Sequence, residues 1–445
     1  MNETNRLAAR IAATDFATIP PAAVEVSKQA ILDFIGVTIA GMDEPLARIL
    51  REEAAEQGGH PQATVIGTNE RTSVAQAALI NGSAGHAHDY DDVQMVMSGH
   101  PTVPVAPVVL AMAEHKGYSG AEVIAAFCAG VDTECIVSTY AGESHYRDGW
   151  HSTGTIGSFG ATAAAAALMA LDQDKISSAL GIAGTQAAGL KASFGTMCKP
   201  LHAGHAAATG AQAAALAARD FSARTDILEA EQGFGETQSA GTDSDKFTAA
   251  LEQASYTQDI CFKYHAACYL THSAIEATSN LCARNAFDPN DIESITVRVD
   301  KGHFRVCNIA EPKTGLEAKF SLRFTVAMAL TGTDTSSIEA FTDELTQDPE
   351  LLRFRDKVTV VAHDTPLRET IVTIATSDGQ IHEEAFNVAI PSRDLEQQRD
   401  KLERKFRALA APRLGIDTTE QIIGMCRNLD EMEDLTPLFN TLTRN

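Results

Sequence analysis

The sequence has few basic residues and no long apolar run. Its 35 lysines and arginines stand against 59 aspartates and glutamates, which gives a formal charge of −24. Such an acidic chain is poorly suited to nucleic acid or to an anionic membrane surface, so neither is expected as a partner. The longest apolar stretch, residues 161–171, is mostly alanine. It is about half as long as the roughly 20 residues that a membrane-spanning helix needs.

The eight cysteines are not spaced as a metal site, and the common nucleotide motifs are missing. Neither G-x-G-x-x-G after a strand nor G-x-x-x-x-G-K-[ST] occurs, so a nucleotide cofactor is not expected. The G-x-S-x-G elbow of a Ser–His–Asp hydrolase is also lacking. The chain starts M-N-E-T-N-R-L-A-A-R without a secretory signal, which favours a cytoplasmic location and reduced cysteines that pack as small apolar side chains.

Roughly the first 265 residues show helical periodicity. Apolar side chains recur at helical spacing, and helices are predicted at residues 23–40, 74–83, 103–115, 120–139, 157–171 and 203–218. The last two are rich in alanine and glycine, whose small side chains let helices approach closely, so both are expected in the interior. Because 445 residues exceed the usual size of a single core, two domains are expected.

The periodicity changes to alternation after about residue 284. Strands are predicted at residues 294–299, 357–362, 370–376 and 381–386, and Asp378-Gly379 between the last two indicates a hairpin. A charged amphipathic helix after Pro391 is expected to return to the helical body. The predicted fold class is therefore mainly α. Residues 1–268 and 393–445 form a large all-helical domain, and residues 269–392 form a smaller inserted α+β domain.

Histidine and aspartate crowd into one segment, G-H-A-H-D-Y-D-D-V-Q-M-V-M-S-G-H-P-T. It contains His86, His88, Asp89, Asp91, Asp92 and His100. Histidine gains or loses a proton near neutral pH and carboxylates tune it, so the segment indicates acid–base chemistry. Two interpretations stay open from the residues alone. The side chains bind a divalent metal, or they line an anion pocket as proton donors and acceptors.

Two further segments hold candidate functional residues. Tyr146 and His151 lie in S-H-Y-R-D-G-W-H-S-T-G-T-I-G, which is predicted to be a loop leading into an alanine-rich helix. Lys199 and His202 lie in M-C-K-P-L-H-A-G-H, where the following proline is expected to hold Lys199 off helical geometry. Lys263, in K-Y-H-A-A-C-Y-L-T-H-S, is a candidate of second rank.

These motifs, in this order, resemble the MmgE/PrpD family, which includes 2-methylcitrate dehydratase, cis-aconitate decarboxylase and iminodisuccinate epimerase. The resemblance rests on A-I-L-D-F-I-G-V-T-I-A-G, N-G-S-A-G-H-A-H-D-Y-D-D, G-H-P-T, H-S-T-G-T-I-G-S-F-G-A, K-P-L-H-A-G-H-A-A and K-Y-H-A-A-C-Y-L-T-H-S-A-I-E-A. It implies that the α+β domain is a lid and that the chain forms a homodimer. It also implies turnover of small di- or tricarboxylates without a metal or an organic cofactor.

The resemblance also implies which residues line the pocket. The family's pocket positions match at Asp89, His100, His151 and Lys199, and less closely at Lys263. The chain departs from the decarboxylase pattern at three positions. Val93 replaces a threonine, Cys268 replaces a histidine, and Phe304 or the adjacent His303 replaces a tyrosine.

The predicted activity moves a proton beside a carboxylate. The main hypothesis is epimerisation of an iminodisuccinate-like dicarboxylate, with Lys199 and Tyr146 as the acid–base pair and no cofactor. The alternative is a dehydratase-like lyase that eliminates water from a tricarboxylate, with His100 protonating the departing hydroxyl. A third alternative, of another class, is a non-catalytic protein that binds small acids. Asp89 completes the predicted catalytic set, and the predicted substrate-binding residues are His88, His151, His202 and Lys263.

Overall fold

The protein, described here from a computed structural model, is mainly helical and divides into two compact units. The structure describes residues 2–285, 287–288, 290–363 and 369–443, apart from the side chain of Arg305. One unit combines Met1–Phe262 with Ser392–Asn445, and the other is Lys263–Pro391. The action of the second unit as a lid stays a prediction.

The N-terminal part of the first unit consists almost entirely of helices. They are α1 (Glu3–Ala12), α2 (Pro21–Gly41), α3 (Pro45–Gln57), α4 (Val74–Gly85), α5 (Thr102–Lys116), α6 (Gly120–Ala141), α7 (Ser144–Arg147), α8 (Ser152–Leu168), α9 (Gln173–Gly184), α10 (Cys198–Ala217), α11 (Phe234–Gln238) and α12 (Ser244–Glu252). A two-residue antiparallel pair, β1 (Ala63–Thr64) and β2 (Arg71–Thr72), interrupts them. The predicted helices are confirmed, although α8 and α10 each begin several residues earlier than expected.

The core of this unit is built on close contacts between α10 and its neighbours. Helix α10 packs on α8 and α4, and α8 also packs on α6 and α5. A Cβ added at Gly204 in α10 would lie 2.0 Å from the carbonyl oxygen of Leu79 in α4. One added at Gly210 would lie 2.5 Å from the carbonyl carbon of Ala161 in α8. The small residues therefore allow the interior packing that the sequence predicts.

The second unit packs short helices on a four-stranded sheet. Its elements are α13 (Tyr269–Arg284), β3 (Ile292–Val299), α14 (Lys301–Val306), α15 (Gly315–Ala318), α16 (Leu322–Thr331), α17 (Pro349–Arg355), β4 (Val358–Ala362), β5 (Thr370–Thr376) and β6 (Ile381–Phe386). The strand order is β4-β3-β5-β6, with β3 parallel to β4 and antiparallel to β5. Gly379 takes a φ of 84° in the hairpin between β5 and β6, as predicted.

The C-terminal helices return to the first unit and support the segment that follows α4. They are α18 (Leu395–Leu414), α19 (Ile416–Arg427) and α20 (Thr436–Thr441), and α18 packs on α2. Within α18, Lys405 is fully buried, with Nζ 2.6 Å from Asp33 Oδ1 and 2.7 Å from the carbonyl oxygen of Tyr90. The ammonium also lies 3.9 Å from the centre of the Tyr90 ring. Among the described residues, no helix has the length and apolar character to cross a membrane.

Candidate active site

The histidine- and aspartate-rich segment forms the connection between α4 and α5. His86 ends α4 as its C-cap, and Thr102 is the first residue of α5. Between them, Asp89 takes a left-handed backbone conformation with a φ of 51°. Aspartate is one of the few side chains that tolerate this region. The turn brings the ring centres of His86 and His100 to 4.5 Å from each other.

Asp89, Lys199 and His100 form a cluster at the exposed side of this segment. Lys199 Nζ lies 2.9 Å from Asp89 Oδ1, and His100 Nε2 lies 3.5 Å from the same oxygen. The Asp89 side chain is 56% exposed, whereas those of Lys199 and His100 are 16% and 12% exposed. The structure thus brings together three residues that the sequence predicts to act together, and it leaves their carboxylate open to solvent.

The expectation that Lys199 lies off helical geometry is wrong. Lys199 is the second residue of α10, and Pro200 follows it within the first turn. The first N–H groups of a helix have no partner inside the helix, so a proline tolerated there removes no hydrogen bond. The helix start therefore presents Lys199 toward Asp89.

Asp91 lies behind this group and contacts two histidines. Its oxygens are each 2.9 Å from His86 Nδ1, and Oδ2 is 3.1 Å from His100 Nδ1. Burial alone would raise the pKa of Asp91, but its contacts with His100 and His86 hold that pKa well below the usual range. Burial lowers the pKa of His86 to about 4, against a smaller opposite effect of Asp91. Asp91 is thus a buried anion and His86 a neutral imidazole.

Nothing in the sequence singles out Asp91 for a role. The only signal was its place in D-Y-D-D, where three aspartates look alike. Asp92, next to it, differs in state. Burial raises the pKa of Asp92 well above the usual range, and its side chain bonds to the Thr102 hydroxyl at 2.5 Å. Only the three-dimensional contacts separate the charged member of the pair from the protonated one.

His151 and His202 form the next pair, where α8 and α10 approach. His151 is the N-cap residue of α8, and its Nδ1 lies 3.0 Å from His202 Nδ1 in α10. The His151 ring stacks on His86 at 5.9 Å and meets the Phe194 ring edge-on at 4.9 Å. Burial, followed by the nearby histidine and lysine charges, lowers the pKa of His151 to about 2. His151 is therefore a neutral hydrogen-bonding group rather than a cation.

Tyr146 lies in the short helix α7 and is covered by a lysine. Lys191 Nζ is 3.7 Å from the centre of the Tyr146 ring, and it donates to the Tyr146 carbonyl oxygen at 2.9 Å. Burial, and then the charge of Asp89, raise the pKa of the Tyr146 hydroxyl. Tyr146 therefore keeps its proton at neutral pH. Its pairing with Lys199 across a substrate stays a prediction.

His88 and Lys263 are the remaining predicted residues. His88 Nε2 is 3.4 Å from the carbonyl oxygen of Ala40 in α2 and 3.7 Å from Glu44 Oε1. Lys263 is buried at the first position of the second unit. Their predicted roles in substrate binding stay predictions.

The three positions that are predicted to depart from the decarboxylase pattern, the third being Phe304 or the adjacent His303, have different settings. Val93 pairs through its backbone with Cys261, with N···O distances of 2.8 and 2.9 Å. Cys268 is the N-cap residue of α13 and Phe304 is an exposed side chain of α14, both in the second unit.

Four side chains of the cluster are close enough to be tested as a metal site. Possible ligand atoms of His86, Asp89, Asp91 and His100 lie within 4.8 Å of one another. However, Nδ1 of both histidines is bonded to Asp91, and the Lys199 ammonium contacts Asp89. A cation bound here would compete with these contacts and with Lys199. The set therefore fits proton transfer better than metal binding, and a reaction without metal stays a prediction.

The chain belongs to the MmgE/PrpD family. The MmgE/PrpD N-terminal domain matches residues 5–246, and the MmgE/PrpD C-terminal domain matches residues 265–431. The first match contains every predicted site residue except Lys263, which lies between the two matched ranges. The family recognised from the sequence motifs is thereby confirmed.

Proteins similar to this chain include cis-aconitate decarboxylases from two mammals and a fungus. The Homo sapiens enzyme is 28% identical over an alignment of 439 residues, which covers 94% of this chain and 90% of that protein. The Mus musculus enzyme is 26% identical over 436 residues, covering 94% and 88%. The Aspergillus terreus enzyme is 26% identical over 454 residues, covering 95% and 92%. Enzymes whose substrate is a small tricarboxylate are thus similar to this chain over nearly its whole length.

Proposed function

We propose that this protein is a lyase that eliminates water from a small tricarboxylate through a carbanion stabilised beside a carboxylate. The observation that carries the proposal is the cluster of Asp89, Lys199 and His100, with a buried anion behind the imidazole. The names of the relatives, which describe bond cleavage in a tricarboxylate, support a lyase better than the epimerase that the sequence analysis favours. A homodimer in the cytoplasm remains part of the proposal.

The contact between Lys199 and Asp89 suggests how substrate prepares the base. A substrate carboxylate that binds the Lys199 ammonium competes with Asp89, which lies 2.9 Å from it. Release from that ion pair makes the exposed Asp89 carboxylate a stronger base. In this scheme Asp89 then accepts the proton from the carbon next to the bound carboxylate. Substrate binding and base activation are thereby one event.

The hydroxyl group that leaves the substrate must be protonated. His100, as imidazolium, donates from Nε2 to that oxygen while the C–O bond breaks and the C=C bond forms. The electron pair of the C–H bond becomes the new π bond, and water leaves. Lys199 and the neutral N–H groups of His151 or His202 bind the carboxylate oxygens on which charge develops. Fixed donors of this kind usually provide the largest part of catalysis.

Two other outcomes use the same groups. Decarboxylation is the activity in the relatives' names. The family resemblance implies departures from the decarboxylase pattern at Val93, at Cys268, and at Phe304 or the adjacent His303, which favours another outcome. Epimerisation requires an acid opposite the base, and the protonated Tyr146 hydroxyl is suited to that role. Each outcome leaves a different product, so a single assay separates them.

The test is an NMR screen of di- and tricarboxylates with the purified protein in deuterated buffer. The expected result is a new alkene signal at the expense of a hydroxy-tricarboxylate. Loss of carbon dioxide instead identifies a decarboxylase. Solvent deuterium at the α-carbon, with nothing lost, identifies an epimerase. Saturable binding of acids without any turnover identifies a binding protein and overturns the proposal.

A pair of lysine variants tests whether the cluster is responsible. Lys199→Met is expected to lower kcat by about 100-fold or more, because a donor for the developing charge is lost. Lys175→Met, which removes a lysine that pairs with the exposed Asp220, serves as the control and should leave kcat unchanged. Equal activity of the two variants would contradict the assignment.

A further inference from the structure

Asp91 is a buried, charged carboxylate that contacts two histidines. It is 1% exposed, yet it carries charge between two imidazoles, with Oδ1 and Oδ2 both 2.9 Å from His86 Nδ1 and Oδ2 3.1 Å from His100 Nδ1. Burying an anion is costly unless its hydrogen bonds compensate. Its place directly behind His100 gives it an influence on the group that would exchange protons with substrate.

The protonation of His100 follows from a second contact. Its Nδ1 lies 2.8 Å from the backbone carbonyl oxygen of Asp92. A carbonyl oxygen can only accept a hydrogen bond, so Nδ1 must carry the proton. Asp91 Oδ2 then accepts from the same N–H. The Nε2 atom is left on the other side of the ring, toward Asp89 Oδ1 at 3.5 Å.

His86 does not compete with His100 for the charge of Asp91. His86 is 1% exposed, and its Nε2 has no hydrogen-bond partner among the described residues. Burial therefore keeps it neutral near pH 7, since its pKa is lowered to about 4. It donates one N–H to Asp91 and holds the carboxylate in place. Other charged groups that act on this region are the cations Lys199 and Lys405 and the carboxylates Asp33 and Asp89.

We propose that Asp91 is a positioning residue: it accepts a hydrogen bond from the Nδ1 proton of His100, so that Nε2 is the nitrogen that faces and protonates the substrate, and it balances the positive charge of His100 before the Nε2 proton is donated. This inference rests on the proposed function, in which His100 is the proton donor. The arrangement matches the general logic in which a buried carboxylate orients a catalytic histidine without reacting itself. Asp91 touches no reacting atom, and its effect passes through His100.

The first arm of the test compares two buried aspartates. In Asp91→Asn the amide offers one oxygen to two N–H groups, so we expect kcat to fall by about 100-fold or more while KM changes less than threefold. Asp132→Asn is the matched control. Asp132 is a buried aspartate of α6 that bonds to Arg10, Ser255 and the Tyr256 amide, outside the site. It should lose stability but keep kcat within about twofold.

A loss in kcat for Asp91→Asn no larger than that of Asp132→Asn overturns the proposal. So does a change confined to KM, because that would assign Asp91 to binding. Recovery of kcat in the Asp91→Glu variant beyond the asparagine variant supports a requirement for charge. For all three variants, kcat and KM are measured with the substrate that the NMR screen identifies.

The second arm does not depend on turnover, and its readout comes from the wild-type protein. The ¹⁵N spectrum of the histidines in the wild-type protein, assigned with a His100→Gln variant, reports which ring nitrogen of His100 bears the proton. With the pH raised until the His100 ring is neutral, a proton kept at Nδ1 supports the inference, and a proton kept at Nε2 overturns it. Because this arm is independent of chemistry, failure of the lyase assay and failure of the positioning role can be told apart.

Discussion

At the scale of single residues, the site depends on the backbone of Asp89. Its left-handed conformation turns the chain between His86 and His100, so that their rings meet over Asp91. Most side chains avoid this region because Cβ crowds the carbonyl oxygen, and the cost is about 1–2 kcal/mol. Asp89 therefore both forms this turn and supplies an exposed carboxylate.

Neutral burial of His86 predicts a pH-dependent stability. Its pKa is about 4 in the folded chain but ordinary in the unfolded chain, so the unfolded state takes up the proton first as pH falls. The stabilisation is complete above about pH 6.5 and is lost as pH falls toward 4, by up to about 3 kcal/mol. Urea unfolding of wild type and His86→Gln at several pH values measures it. The wild type should lose more stability than the variant, and parallel pH curves would refute the prediction.

At the scale of elements, the helix packing is set by glycine. Helix α10 carries both Lys199 and His202 and approaches α4 at Gly204, where no side chain fits. The contact fixes the position of α10 along α4, and therefore the position of the first turn of α10. The site residues on α10 are thus placed by a contact deeper in the helix.

A glycine-to-alanine pair tests this packing. Gly204→Ala is expected to destabilise the protein by about 1–3 kcal/mol, because its Cβ would overlap the backbone of α4. Gly424→Ala is the control, since Gly424 lies within α19 with nothing within 4 Å of the added Cβ. That change should stabilise the helix by about 0.5–1 kcal/mol. Thermal or urea unfolding compares the two, and effects of the same sign would contradict the packing argument.

Local sequence patterns predict the helices and strands, but they do not predict the first residue of every helix. The apolar faces and the hairpin signal identify α2, α5 and β5–β6 because those signals are local. The beginning of α10 was placed too late, since proline was interpreted as a break although Pro200 fits in the first turn. The hydrogen bond between His151 and His202 was out of reach as well, because it depends on how α8 packs on α10.

The candidate site was accessible from the sequence to the extent that it is local. The crowding of histidine and aspartate in one segment identified Asp89 and His100, and the local motifs identified His151 and Lys199. The family resemblance then matched the same four positions. The separate states of Asp91 and Asp92 were not accessible, because burial and partner contacts decide them.

At the scale of the whole molecule, charge opposes the proposed substrate. The chain carries a formal charge of −24, so its distant field repels a tricarboxylate even though Lys199 attracts it at close range. Salt shortens the reach of the distant field from about 30 Å at 0.01 M to about 8 Å at 0.15 M. The contact with Lys199 is short and less affected.

This balance predicts an unusual response to salt. Raising the ionic strength from 0.01 to 0.15 M should increase kcat/KM for a trianionic substrate by on the order of 2- to 10-fold. A monoanionic acid that is turned over or bound at the same site should respond less. Initial rates in buffers of graded salt provide the measurement. A steady fall of kcat/KM with salt would mean that the cations of the site dominate the field.

The contact between Lys405 and the carbonyl oxygen of Tyr90 joins residues 315 positions apart. During synthesis, the ribosome adds about 5–20 residues per second, so roughly 15 to 60 s pass before that ammonium exists. Until then the nascent polypeptide holds Asp33 and the Tyr90 carbonyl oxygen without the contacts of Lys405. The segment between α4 and α5 therefore gains this contact only late in synthesis, whatever the speed at which the first helices form.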